Sequence, residues 1–161
     1  EYETEADNEE EESYVNEEYV EHYQRDDSDY RNMRSGGEKT ALHIAIENGH
    51  TDIVASLLKH PRIDVNVRSI TYEPYKMFVE TPLYKAVSKN NIKVVNLLLS
   101  MDSIYINKKS SFYDVEMENS RKKSILKLEE NPLEHAKKNG YNDIIEILMQ
   151  KLKWFFIMIN F

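Results

Sequence analysis

Residues 38–66 read EKTALHIAIENGHTDIVASLLKHPRIDVN, and this wording recurs along the chain. A displacement of 41 residues places Thr40 on Thr81, Leu42 on Leu83, Ala45 on Ala86, Ile53 on Val94, Val54 on Val95, Leu57 on Leu98, Leu58 on Leu99 and Asn66 on Asn107. A displacement of 91 places Leu42 on Leu133, Ala45 on Ala136, Gly49 on Gly140, Ile53 on Ile144, Val54 on Ile145 and Leu57 on Leu148. Three copies of one unit at a long period are the signature of a repeat array.

The residues inside the unit predict its shape. Thr40 opens a helix, because its hydroxyl can accept from the free backbone N–H groups of the first turn. Leu42, Ala45 and Ile46 share one face at spacings of three and four. Gly49 is the stop, since glycine tolerates the left-handed conformation that ends helices. A second helix starts near Thr51, and its Ile53, Val54, Leu57 and Leu58 again share a face. Two short helices joined by a glycine turn make a helical hairpin. One hairpin buries too little to offset the entropy of ordering its backbone, so copies must stack and cover each other's apolar faces.

The residues Thr40–Ala45 (TALHIA), Gly49-His50, Asp52-Ile53-Val54, Leu57-Leu58 and Asp64-Val65-Asn66 resemble the ankyrin repeat. Thr81–Ala86 (TPLYKA) resembles the same opening with Tyr84 at the usual histidine position, and Asn131–Ala136 (NPLEHA) is a weaker version. The chain is similar to long ankyrin arrays of some protists that have lengthened inter-repeat hairpins. The resemblance covers 35–153, with repeats at 38–66, 80–107 and 130–151. It implies an all-α repeat solenoid, a right-handed ankyrin-like stack of three helix-turn-helix units with long β-hairpin fingers. It also implies that His43 hydrogen-bonds near the helix start and ties its turn to the neighbouring one.

The spacings depart from the family period of about 33 residues. The excess falls in Val67–Glu80 and Lys108–Glu130, with one further residue beside Pro61. Val67–Glu80 (VRSITYEPYKMFVE) alternates loosely and reads as an extended hairpin with its tip near Tyr72–Lys76. Tyr72, Tyr75, Met77 and Phe78 there either pack on adjacent helices or meet a partner. In the second connection, Ser111–Met117 and Ser124–Leu128 read as strands, with Glu118–Lys123 as the tip. Arg121-Lys122-Lys123 is read first as a charged tip. A nuclear import signal, or a phosphosite at Ser124, are the functional alternatives. Asn90 stands in place of the glycine in copy two and can take the same conformation. Lys137, where Ile46 and Val87 stand earlier, suits a terminal repeat.

The two ends differ in composition. Residues 1–30 hold fourteen acidic residues and one basic residue, Arg25, for a local charge of −13; the whole chain is −8, so 31–161 carries +5. Such a run repels itself and builds no core, and 1–34 is expected to be a disordered acidic arm containing Tyr2, Tyr14, Tyr19, Tyr23 and Tyr30. Two other readings stand beside it. One is an amphipathic helix over Tyr14–Gln24, the outer helix of an eroded earlier repeat; the other is a regulatory arm with phosphorylatable tyrosines. In an autoinhibitory variant the arm lies on the basic body. At the far end, Trp154–Phe161 (WFFIMINF) is an uncharged tail too short to span a membrane. It reads either as a cap over the last repeat or as a face where a further repeat stacks. The start at Glu1 without Met fits a fragment, a processed product or a trimmed chain.

Function is read as non-catalytic protein binding. No Gly-rich phosphate loop, nucleophile elbow, HExxH or paired-carboxylate pattern appears, and no cofactor or metal is expected. His43 and His50 lie at opposite ends of one helix. Nucleic-acid binding requires a broader basic face. With no cysteine, an intracellular, cytoplasmic residence is expected; the oligomeric state is left open. By resemblance, the partner-facing positions are the finger tips and inner helices: Lys39, Glu47, Asn48, Tyr72, Tyr75, Glu80, Ser88, Lys89, Glu130, Lys138 and Asn139. The alternative is a structural segment of a longer array with no partner of its own.

Overall fold

The structure is a computed structural model that describes residues 36–73, 75–118 and 121–159. The expectations placed on residues 1–35, including the acidic arm and the Tyr14–Gln24 helix, lie outside the described residues. A short strand β1 (Gly36–Glu38) leads into the first helix pair, α1 (Ala41–Glu47) and α2 (Thr51–Leu57). The first finger is β2 (Ser69–Glu73) and β3 (Lys76–Glu80), followed by α3 (Pro82–Ser88) and α4 (Ile92–Leu99). The second finger is β4 (Ser110–Glu118) and β5 (Arg121–Glu130), followed by α5 (Pro132–Asn139) and α6 (Asn142–Ile159).

Each inner helix begins on a side-chain cap. The Oγ1 atoms of Thr40 and Thr81 accept from the backbone N–H of His43 and Tyr84 at 3.4 and 3.1 Å. Asn131 does the same for Glu134 at 2.9 Å, and the Glu134 carboxylate accepts from the Asn131 N–H at 2.8 Å, which closes a capping box. Pro82 and Pro132 occupy the first turn, where a missing N–H costs nothing. Between the helices of each pair, Gly49, Asn90 and Gly140 take left-handed φ values of 72°, 51° and 69°. The equivalent position in all three copies thus carries the two residue types that best tolerate that region.

The stacked faces form one core. Leu42, Ala45, Ile46 and Val54 of the first pair join Leu83, Ala86, Val87, Val94, Val95, Leu98 and Leu99 of the second and Ala136, Ile144 and Leu148 of the third. Val65, Ile104 and Ile106, from the connections, complete it. Leu58 is buried, while Leu57, Leu133 and Ile145 are half-buried against the cluster. Ile53 departs from the expected core face and is exposed.

The all-α expectation needs correction. The fingers do not stand as separate hairpins but form one five-stranded antiparallel sheet in the order β1-β2-β3-β4-β5. Within fingers, Ile70 pairs with Val79 and Phe112 with Leu128; between fingers, Phe78 pairs with Phe112 and Met77 with Tyr113. The geometry explains the continuity. Each finger supplies two strands about 4.8 Å apart, so the sheet advances roughly 9.6 Å per repeat. Packed helices repeat at about 8–10 Å. Fingers long enough to extend beyond the helices therefore meet at hydrogen-bonding distance. Both expected hairpins are present. The second is longer than expected, because β4 and β5 pair outward to Glu118 and Arg121.

At the other end, α6 runs without a break through Ile159, so the apolar tail prolongs the last helix. Leu152 and Phe155 pack against the core, whereas Met149, Trp154, Phe156 and Ile157 are exposed.

Candidate functional site

The side chains at the junction of fingers and inner helices form a polar chain that crosses the repeats. In the first copy, His43 is buried. Its Nε2 lies 3.2 Å from the Glu80 carbonyl and its Nδ1 2.8 Å from Thr40 Oγ1. A carbonyl only accepts, so Nε2 carries the proton and Nδ1 accepts from the hydroxyl. Burial holds the imidazole neutral and lowers its pKa to about 4, although the Glu80 carbonyl acts in the opposite sense. Ser69 Oγ also donates to the Glu80 carbonyl at 3.3 Å, and Ser110 Oγ accepts from the Thr81 N–H at 3.2 Å.

In the second copy Tyr84 replaces the histidine and reaches further. Its hydroxyl donates to Glu130 Oε1 at 2.5 Å, and His135 Nδ1 lies 2.6 Å from the same oxygen and 2.8 Å from the hydroxyl. Burial works to raise the Glu130 pKa, but the hydrogen bonds from Tyr84 and His135 outweigh it and hold the carboxyl below its usual range. Burial, with Glu130 beside it, pushes the Tyr84 phenol well above its ordinary value. The Tyr84 ring packs on Phe112 at 5.5 Å and on His135 at 4.9 Å; Phe112 in turn meets Phe78 edge-on at 5.7 Å. A row of rings thus links β3 and β4 to the inner helices α3 and α5.

Two of the expected partner-facing residues turn inward here. Glu80 and Glu130 are buried; Glu80 is paired with Lys85, and Glu130 with His135 and more distantly with Lys138. Lys39 and Glu47 pair with each other at 2.6 Å, and that hydrogen bond lowers the Glu47 pKa. Tyr72 and Ser88 are half-buried, while Asn48, Lys89, Lys138 and Asn139 are exposed at the ends of the inner helices. Lys85 and His135 were not singled out from the sequence. The recurrence Glu80–Lys85 and Glu130–His135, five residues apart in both copies, was the available signal. The first copy breaks it, with Lys39 and Ile44 at these positions.

The exposed part of the site is the finger sheet. Tyr75, at the tip of the first finger, has a left-handed φ of 62° and a 70% exposed side chain. Its carbonyl accepts from the Val115 N–H of β4 at 2.8 Å, so the second finger holds the tip of the first. Leu126 and Leu128 are exposed on β5. Among the described residues, no three His, Cys, Asp or Glu side chains gather as metal ligands, and no helix is long and apolar enough to cross a membrane.

Paired helices stacked through one core, with fingers projecting from one side, define a helical-hairpin repeat protein. A family model described as "Ankyrin repeats (3 copies)" matches residues 13–110, more than half of the 161-residue chain. The chain belongs to the ankyrin repeat family. The match begins upstream of β1 and ends at Ser110, before α5 and α6. Comparison with curated proteins finds no match.

Proposed function

We propose that this chain is a non-catalytic adaptor that binds a protein partner across its finger sheet and the exposed ends of its inner helices. The observation that carries the reading is Tyr75. Its backbone is fixed to β4 while its ring stands in solvent. A rigid aromatic side chain loses little freedom on binding, which is the property of a binding anchor. Asn48, Lys89, Lys138 and Asn139 lie at equivalent ends of successive helices and supply a polar rim. Three repeats offer about 800 Å² to a partner, one standard interface. Glu80 and Glu130 act indirectly in this reading, by fixing the fingers to the helices.

The test uses the full chain with a photoreactive phenylalanine analogue in place of Tyr75 or, as a control, Lys59. Irradiation in the source cell should attach a distinct protein at Tyr75 and not at Lys59, and Tyr75→Ala should abolish recovery of that protein. Equal labelling at both positions, or none at Tyr75, rejects the reading.

A second reading, a structural segment of a longer array, is supported by the exposed Met149, Trp154, Phe156 and Ile157 on α6. They offer an apolar face to a further helical unit. The intact mass of the native protein separates the two: a mass equal to these 161 residues favours the adaptor, and a much larger one the array.

A further inference from the structure

Equivalent positions of the outer helices differ in one respect. Val94 of α4 and Ile144 of α6 are 0% exposed, and each helix has the preceding outer helix beside it. Ile53, at the same position of α2, is 45% exposed. One turn on, Leu98 and Leu148 are fully buried and Leu57 is only half-buried. The first repeat thus leaves open the face that its neighbours cover.

β1 indicates a preceding unit. It stands immediately before the helix opening at Lys39-Thr40, as β3 stands before Thr81 and β5 before Asn131. It thus takes the place, ahead of its helix pair, that the returning strand of a finger takes in the later repeats. The sequence contains a matching stretch. A displacement of 34 residues places Tyr19 on Ile53, Val20 on Val54, Tyr23 on Leu57 and Arg25 on Lys59. The same displacement places Asn32-Met33-Arg34-Ser35 on Asn66-Val67-Arg68-Ser69, and Glu18 on Asp52 in the first turn, where an acid suits the helix dipole. It also places Asn8, Glu11 and Glu12 on Leu42, Ala45 and Ile46, so the apolar pattern of the inner helix is not repeated there. The family match starts at residue 13, which corresponds to Glu47 at the end of α1, just ahead of the outer helix.

We infer that the face formed by Ile53 and Leu57 is the seat of this chain's own segment Glu17–Ser35, whose Tyr19, Val20 and Tyr23 match Ile53, Val54 and Leu57 in sequence. Asn66 shows how such a unit is latched. Its Nδ2 donates to the Ser103 carbonyl at 2.7 Å and its Oδ1 accepts from the Tyr105 N–H at 2.8 Å, in the loop of the next repeat. The displacement of 34 residues places Asn32 on Asn66, and one of 41 places Arg62 and Asp64 on Ser103 and Tyr105, so the residue for the same latch is present in the sequence.

The chain has no cysteine, which makes a clean probe possible. Ile53→Cys and, separately, Asp52→Cys are introduced into the full-length protein, and alkylation by iodoacetamide is timed under native conditions. A thiol beneath the segment should react at least about tenfold more slowly than its exposed neighbour on the same helix. Adding Val20→Asp and Tyr23→Asp should raise the Ile53→Cys rate to that of Asp52→Cys and leave the latter unchanged. Equal rates in the otherwise unaltered chain overturn the inference, and so does protection that survives the two aspartates. Protection that grows with protein concentration assigns the face to a second copy and overturns it equally.

Discussion

At the residue scale, the structure turns on how each buried polar group is satisfied. His43 binds a carbonyl and a hydroxyl as a neutral ring, and its pKa is about 4 in the fold against 6.5 when unfolded. Between these values the unfolded chain binds the extra proton. Stability from this group is therefore complete above about pH 6.5 and is lost as pH falls through 4, by at most about 3 kcal/mol. Urea denaturation across this range should show the loss, and His43→Gln should flatten it. Tyr84→Phe removes one of the two hydrogen bonds that keep Glu130 ionised. It should cost about 1–2 kcal/mol and raise the Glu130 titration midpoint, measurable by carboxyl carbon NMR. The caps were legible because they act within a few residues of themselves, and the tie made by His43 followed from the family resemblance, since its partner Glu80 lies 37 residues away. The inward turn of Glu80 and Glu130 was not. A glutamate before a helix reads as solvated, and Tyr84, which reaches Glu130, lies 46 residues away.

At the element scale, the turn between paired helices depends on backbone conformation. Gly49 and Gly140 have left-handed φ with open space where a Cβ would sit, so substitution there is strained only by the backbone. Gly140→Ala should cost about 1 kcal/mol. Asn90→Gly should be close to neutral, and Asn90→Val should cost more than Gly140→Ala, because a β-branched side chain fits this region worst. Thermal melts of the three variants give the order. These turns and the helix faces could be read from glycine placement and spacing. The fingers were read as strands, from alternation around Glu73-Pro74 and Glu118–Lys123. Their fusion into one sheet was not read, because pairing of Phe78 with Phe112 depends on the distance between stacked repeats and has no local signature.

At the scale of the whole molecule, stability resides in the interfaces between repeats. Leu98 is fully buried in the middle repeat, with neighbours on both sides. Leu98→Ala should cost about 2–5 kcal/mol, seen as a lowered denaturation midpoint for the whole stack rather than a separate early phase. The fused sheet has a mechanical consequence. Strands in a sheet rotate by about 20–25° from one to the next, and two strands belong to each repeat. The fingers therefore form a torsion bar fixed at its base to the helices through Glu80 and Glu130. A load that flattens or winds the finger tips applies torque to that bar, which turns one helix pair against the next. Force applied at the finger tips is thus delivered as rotation at the core, some distance from the point of loading.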